Sequence, residues 1–327
     1  MTLRSIAVIV LCTAVSEAYG QERRERIFFS ALDRTNKPVL GLHAEDFTLK
    51  VEGRVAPLED FRAARPADDK STPLAAWILL SAYRPISSRL IADQASAAAG
   101  AFTLLHPQSA LGVQVISDRV ETLAPLGNDP AALRRAFTDY GSRRIELRAG
   151  PSKDIVEIGQ GGILAAIEHA MDSMDRYVAE RRAQSGTEVN RAVIVIALPL
   201  VPSYYHFYPG REALLDHAAR DGVFFYPIFV PRGFLASWME PYLELAKKTA
   251  GLVSVFGSLR PALDWRSSRQ ENDGPNALAA NFLQIARDLN GKYSFAAPRL
   301  SAGTSARLDL RCRRKGVEVR LPRRRLP

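Results

Sequence analysis

Apolar and polar positions change their period twice along this chain. From Arg26 to about Arg62 they alternate in short runs. "RIFFSALD" and "DFTLKVEG" carry β-branched and aromatic residues, "RVAPLEDFR" is a third candidate strand, and "DRTNKP" and "EG" are turn signals between them. From Leu74 to about Leu289, apolar runs alternate with segments of helical period. Strands are predicted at 75–81, 110–117, 119–124, 191–198, 222–229 and 252–257, and helices at about 86–105, 129–139, 160–184, 210–220, 235–250 and 276–290. Asn128, Asp129 and Pro130 open one of these helices with a cap and an early proline. "RAVIVIALPL" is apolar almost without a break, the pattern of a strand covered on both faces. From Lys292 onward strict alternation returns in "KYSFAAP", "ARLDLRCRR" and "GVEVRLP".

This order predicts an α/β fold over residues 67–290, a mostly parallel sheet with helices on both faces. The β segments at 21–66 and 291–327 each hold too few apolar positions to bury a core alone, so the two are expected to pair into one small β-sandwich-like module. "ARPADDKSTP" (64–73) is polar and proline-rich and reads as a linker. "GQGG" (159–162) lacks the following Lys-Ser/Thr of a phosphate cradle and reads as a turn that starts a helix.

Residues 1–20 read as a signal peptide rather than as fold. Arg4 is followed by the short apolar run "IAVIVLCTAV" and by small residues that offer cleavage after Ala18 or Gly20. The alternative is a retained membrane anchor. Leu11 before Cys12 is too bulky for a lipoprotein cleavage site. The mature chain is then exported, periplasmic or extracellular, with no transmembrane helix. It keeps one cysteine, Cys312, which cannot form an intramolecular disulfide and reads as a packed, inert thiol.

Composition is that of an ordinary globular protein, 47% apolar and 24% charged, with a net charge of +9 among 327 residues. The basic tail "RCRRKGVEVRLPRRRLP" suits an anionic envelope surface or another polyanion, or is solvated strand exterior. Nucleic acid is not an expected partner of an exported chain.

One stretch carries a further clue. "NKPVLGLHAEDFTLKVEGRVAPLEDF" resembles the lead-in segment of the acidobacterial-type, von Willebrand factor type A-related family of bacteria. "GVQVISDRVETLAPLGNDPAALRRAF", "NRAVIVIALP" and the C-terminal β pattern resemble later parts of the same family. The resemblance implies a type A domain, which usually holds a divalent ion at the top of its sheet through D-x-S-x-S, a threonine and a later aspartate. Laid on this chain, the first aspartate becomes Ser81, the two serines Tyr83 and Pro85, the threonine Ile163, and the later aspartate Leu198 or Pro199. Both carboxylates are gone, and neutral hydroxyls alone hold Mg²⁺ poorly. Arg84 adds a positive charge at the same place. No metal and no cofactor are expected here. Asp118 falls in a predicted hairpin turn and reads as a surface residue.

The aromatic stretch "VPSYYHFYPG" follows the central strand. Ser81, Tyr83 and Arg84 with Tyr204, Tyr205, His206 and Tyr208 form the candidate binding residues, either as a contact face or as filler over a lost metal site. Glu168, Asp172 and Asp175 share one helix face and read as solvated. No zinc spacing, nucleophile elbow, P-loop or dinucleotide fingerprint occurs, and no catalytic residues are assigned. The chain therefore reads as a non-enzymatic, exported module for binding an unknown protein partner or for assembly. The alternative is an envelope- or polyanion-binding protein that works through its basic tail.

Overall fold

A computed structural model describes residues 26–34, 37–64, 73–81, 88–116, 120–142, 153–185, 189–197, 209–229, 240–255, 258–261, 277–298, 306–322 and 325–326. Three strands open the chain: β1 (Arg26–Leu32), β2 (Phe47–Val51) and β3 (Arg54–Ala56). Seven more follow: β4 (Leu74–Ser81), β5 (Ala110–Ile116), β6 (Val120–Gly127), β7 (Asn190–Ala197), β8 (Val223–Phe229), β9 (Ser254–Val255) and β10 (Ser258–Pro261). The last four are β11 (Lys292–Ala296), β12 (Ala306–Cys312), β13 (Glu318–Arg320) and β14 (Arg325–Leu326). The helices are α1 (Ser88–Leu105), α2 (Pro130–Ser142), α3 (Lys153–Ser185), α4 (Arg211–Arg220), α5 (Glu240–Thr249) and α6 (Ala277–Asn290).

The seven middle strands form one sheet in the order β10-β9-β8-β7-β4-β5-β6. β9, β8, β7, β4 and β5 run parallel, and β6 and β10 are antiparallel edges. Numbered from β4, the strands β4 to β9 take the order 3-2-1-4-5-6, a doubly wound sheet whose direction of winding reverses between β4 and β7. Every residue of β4, β5 and β8 is buried, because helices cover both faces. Ala76, Ile78 and Leu80 pack with α1, α2 and α6, whereas Ala75, Trp77 and Leu79 pack with α3, α4 and α5. Trp77 also explains Gly112 on the neighbouring strand: a Cβ there would lie 2.5 Å from the indole ring.

The two chain ends meet as expected. β1 pairs antiparallel with β11 and β13, and β12 pairs with β2, which pairs in turn with β3. The resulting three- and four-stranded sheets share a core of Ile27, Phe29, Phe47, Leu49, Tyr293, Phe295 and Leu310. Ring centroids of Phe29 lie 5.1 Å from Phe47 and 5.4 Å from Tyr293. The other face of β1 turns to the α/β domain, where Phe28 meets Phe224 edge-on at 5.7 Å. That double burial is why "RIFFSAL" is apolar on both sides. Cys312 is half-buried against the same core, as a packed thiol should be.

Four details differ from the sequence reading. α3 begins at Lys153, so "GQGG" lies inside a helix and is not a turn. Each interior glycine costs about 1 kcal/mol relative to alanine, but the buried face from Ile163 to Val178 holds the helix against the sheet. β6 runs on to Gly127. The edge strand β10 had no signal, being four residues that end in proline. The run predicted at 252–257 supplies only two strand residues, because Leu252 and Val253 pack inward without joining a ladder. Of the expected linker, 65–72 lie outside the described residues, as do the leader and Asp118.

Candidate functional site

In a doubly wound sheet the crevice for ligands opens at the carboxyl ends of the strands, where the winding reverses. Here that point lies between the ends of β4 and β7, at Ser81 and Ala197. Ser81 is buried, and its carbonyl accepts a hydrogen bond of 3.0 Å from the hydroxyl of Tyr140, itself buried on α2. Ile163, at the position where the family resemblance expects a threonine, is 3% exposed and packs in the core beneath α3. The described residues that end the parallel strands are Ser81, Ile116, Ala197, Phe229 and Val255, and none offers a carboxylate. These residues do not fit a divalent ion. Tyr83, Arg84, Tyr204, Tyr205, His206 and Tyr208 lie outside the described residues, as do Pro85, Leu198 and Pro199.

Two ionic clusters lie elsewhere, and the sequence reading found neither as a unit. The first sits at the opposite end of the sheet, where β7 and β8 begin. Asp172 and Asp175 come from α3, His217 from α4, Asp221 from the turn after α4, and Arg191 from the start of β7. His217 Nε2 stands 2.7 Å from Asp175 Oδ2 and 3.1 Å from Asp221 Oδ2. Arg191 Nη1 stands 2.8 Å from Asp175 Oδ1 and donates to the Asp221 carbonyl at 3.3 Å. The Arg191–Asp175 contact is an ion pair without hydrogen-bond alignment, since Oδ1 accepts no hydrogen bond. The ligand atoms of Asp172, Asp175 and His217 lie within 4.8 Å of one another, a spacing compatible with a metal ion. The guanidinium of Arg191 already supplies the positive charge that a metal would bring. The solvated-face expectation holds for Asp172, which is exposed, and fails for Asp175, which is tied to two neighbouring elements.

The second cluster lies where the β module meets the α/β domain. Lys292 Nζ donates to Ser30 Oγ at 2.7 Å, to the Ala250 carbonyl at 2.5 Å, and pairs with Asp288 Oδ2 at 2.8 Å. Ser30 Oγ donates to Asp288 Oδ1 at 3.0 Å, and the Tyr226 hydroxyl donates to Asp288 Oδ2 at 2.8 Å. All three ammonium donors and both carboxylate oxygens are satisfied, with side-chain exposures of only 3% and 4%. Burial pushes the Lys292 ammonium down to about 8 against the pull of Asp288. Burial alone would raise the Asp288 carboxyl; the charges of Lys292 and Arg320 and the hydrogen bonds from Lys292 and Tyr226 outweigh it and hold the group below the usual aspartate value. Nothing in this cluster is open to a substrate. It fixes β1, β8, α6 and β11 against one another.

No protein-family model and no curated protein matches the chain. Among solved structures it is similar to the TFIIH p34 N-terminal domain, at 15% identity and a TM-score of 0.42, covering 66% of this chain and 98% of that one. It is similar to an aerotolerance-related membrane protein from Bacteroides fragilis at 14% identity and a TM-score of 0.41, covering 67% and 99%. It is also similar to the SpRpn10 VWA domain at 13% identity and a TM-score of 0.36, covering 56% and 86%. The α/β fold of this chain rests on its own strand order and on the helices that cover both faces of its sheet.

Proposed function

We propose that this chain is an exported, non-enzymatic protein-binding or assembly module, built on a von Willebrand factor type A-like domain whose sheet top works without a metal ion. One observation carries the reading. At the switch point between β4 and β7, the residue that closes β4 is Ser81, buried and held through its carbonyl by Tyr140. A neutral, sealed strand end is a scaffold for a contact surface rather than a seat for a hard cation. The segments that leave β4 and β7 carry His206 together with Tyr83, Arg84, Tyr204, Tyr205 and Tyr208, and tyrosine and arginine are enriched where proteins bind proteins. The partner is a protein, and its capture is independent of divalent ions.

The test is affinity capture from an envelope extract of the producing cells, with and without EDTA. The wild-type chain is expected to retain one partner at unchanged yield in EDTA, and Arg84→Glu combined with Tyr205→Ala is expected to lose it. Loss of the partner in EDTA, or undiminished capture by the double variant, would sink the reading. N-terminal sequencing of the protein from the same cells checks export: cleavage after Ala18 or Gly20 is expected, and an intact Met1 in the membrane fraction contradicts it.

A further inference from the structure

The positive charge of this protein is concentrated at one end of the chain. Residues 291–327 carry eleven basic and two acidic side chains, while the preceding 290 residues carry thirty-three of each. The last 37 residues thus account for the whole net charge of +9. The fold turns part of this segment into a surface. Along β12, Leu308, Leu310 and Cys312 face the module core, which leaves Arg307, Asp309 and Arg311 on the outer face of the four-stranded sheet. Cross-strand register sets Arg311 beside Thr48 and Asp309 beside Lys50. Arg313, exposed just past the strand, donates through Nε to Thr48 Oγ1 at 3.0 Å and so lies over the same face. Asp309 is the one carboxylate among the described outward positions of these strands, and it is engaged by Arg311 at 3.0 Å. Glu52, in the turn at the rim, accepts the Arg307 backbone N–H. Beyond β12, Arg325 of β14 stands in register with Arg307.

We propose that the outer face of the β14-β12-β2-β3 sheet docks on an anionic lipid bilayer, with Lys50, Arg307, Arg311 and Arg313 as its contacts. Lys50 faces Asp309 across the strands and lies diagonal to Arg307 and Arg311, about 7–8 Å from each, while those two arginines stand about 13 Å apart along β12 and Arg313 follows just past its end. A planar array of that pitch meets many headgroups at once. Val55, 73% exposed and paired in register with Lys50, places an apolar side chain on the same face. Nucleic acid suits the face less well. The module aromatics Phe29, Phe47, Phe61, Tyr293 and Phe295 pack against one another in the core, so among the described residues no base-stacking platform stands beside the cations. The surface is separate from the sheet top and does not depend on what the sheet top binds.

The experiment is co-sedimentation of the full chain with vesicles of phosphatidylcholine alone and with 30% phosphatidylglycerol. Binding is expected only to the anionic vesicles at 50 mM NaCl, weakening at least about tenfold by 300 mM as the Debye length shortens. Each basic contact near such a surface contributes about one kcal/mol, so Lys50→Glu with Arg307→Glu and Arg311→Glu should weaken binding at least about a hundredfold. The matching Gln variant should fall in between. Lys247→Glu with Lys248→Glu, on α5, should stay within about twofold of wild type. Circular dichroism melts confirm that each variant is folded. No binding to anionic vesicles, equal binding by wild type and the Glu variant, equal loss in the α5 variant, or tighter binding to duplex DNA than to vesicles each overturns the proposal.

Discussion

The two ionic clusters use the same ingredients and differ in what surrounds them. At the junction, Asp288 and Lys292 are almost fully buried, and every polar atom has a partner. At the amino ends of β7 and β8, the side chains of Arg191, His217, Asp221 and Asp175 keep 14%, 22%, 28% and 36% of their exposure. Water can replace a partner in the second cluster but not in the first. The first therefore fixes the β module on the α/β domain, whereas the second trims the surface between α3 and α4. A buried pair is not strong in itself, because desolvating both ions offsets most of their attraction. Its consequence is that the Asp288 carboxylate cannot be left without the donors that the lysine nitrogen supplies, which a neutral amine keeps and an apolar side chain does not.

The largest effect should come from breaking the buried pair on one side. Lys292→Met strands the Asp288 carboxylate and is expected to cost about 3–5 kcal/mol by denaturant unfolding. A loss below 1 kcal/mol would mean that water reaches the junction. Removing both charges sharpens the point. Asp288→Asn with Lys292→Met is expected to recover most of the loss, to within about 2 kcal/mol of wild type. If the double variant is as unstable as the single one, packing of the lysine stem rather than charge is what matters.

pH separates the two ions. The folded Lys292 sheds its proton near 8, while the unfolded chain holds it up to about 10.5. Between those values the unfolded state binds more protons, so this group's contribution to stability rises with pH. The folded Asp288 carboxyl lies below its ordinary value. Its contribution is fully present above the unfolded aspartate value and is lost as pH falls through the lower folded one. The alkaline rise should vanish in Lys292→Met when unfolding curves are compared from pH 7.5 to 10.5. A rise of the same size in the variant would assign it to other groups.

The exposed cluster should give the smaller change. His217→Ala is expected to cost about 1 kcal/mol or less, and that cost should shrink further in 1 M NaCl. The cost of Lys292→Met should hardly respond to the same salt. A His217→Ala loss above 3 kcal/mol would show that this cluster, too, is shielded from water.

The sequence made one class of feature legible and hid another. Periodicity located β4, β5, β7 and β8, and the alternation in "LDLRC" assigned the two faces of β12, because a side chain's burial follows directly from its place in a repeating backbone. The paired chain ends followed from a shortage of apolar positions at each. The clusters were hidden. Ser30 and Asp288 lie 258 residues apart, and Gln114 and His169, joined at 2.7 Å, lie 55 apart, so no local pattern announces either contact. Arg191 looked like the polar start of a buried strand and turned out to stand between two aspartates. "GQGG" misled because its glycines argue locally for a turn, while the packed face of α3 further along decides for helix. At the sheet top, the lack of a carboxylate at Ser81 and of a hydroxyl at Ile163 was legible residue by residue, and the burial of both was not.

Under the function proposed above, the switch point between β4 and β7 serves as a contact scaffold without a metal ion. Calorimetric titration of the purified protein with Mg²⁺ and with Mn²⁺ is the direct test. No saturable heat is expected for either ion. A stoichiometric site of micromolar affinity that Ser81→Ala abolishes would contradict it.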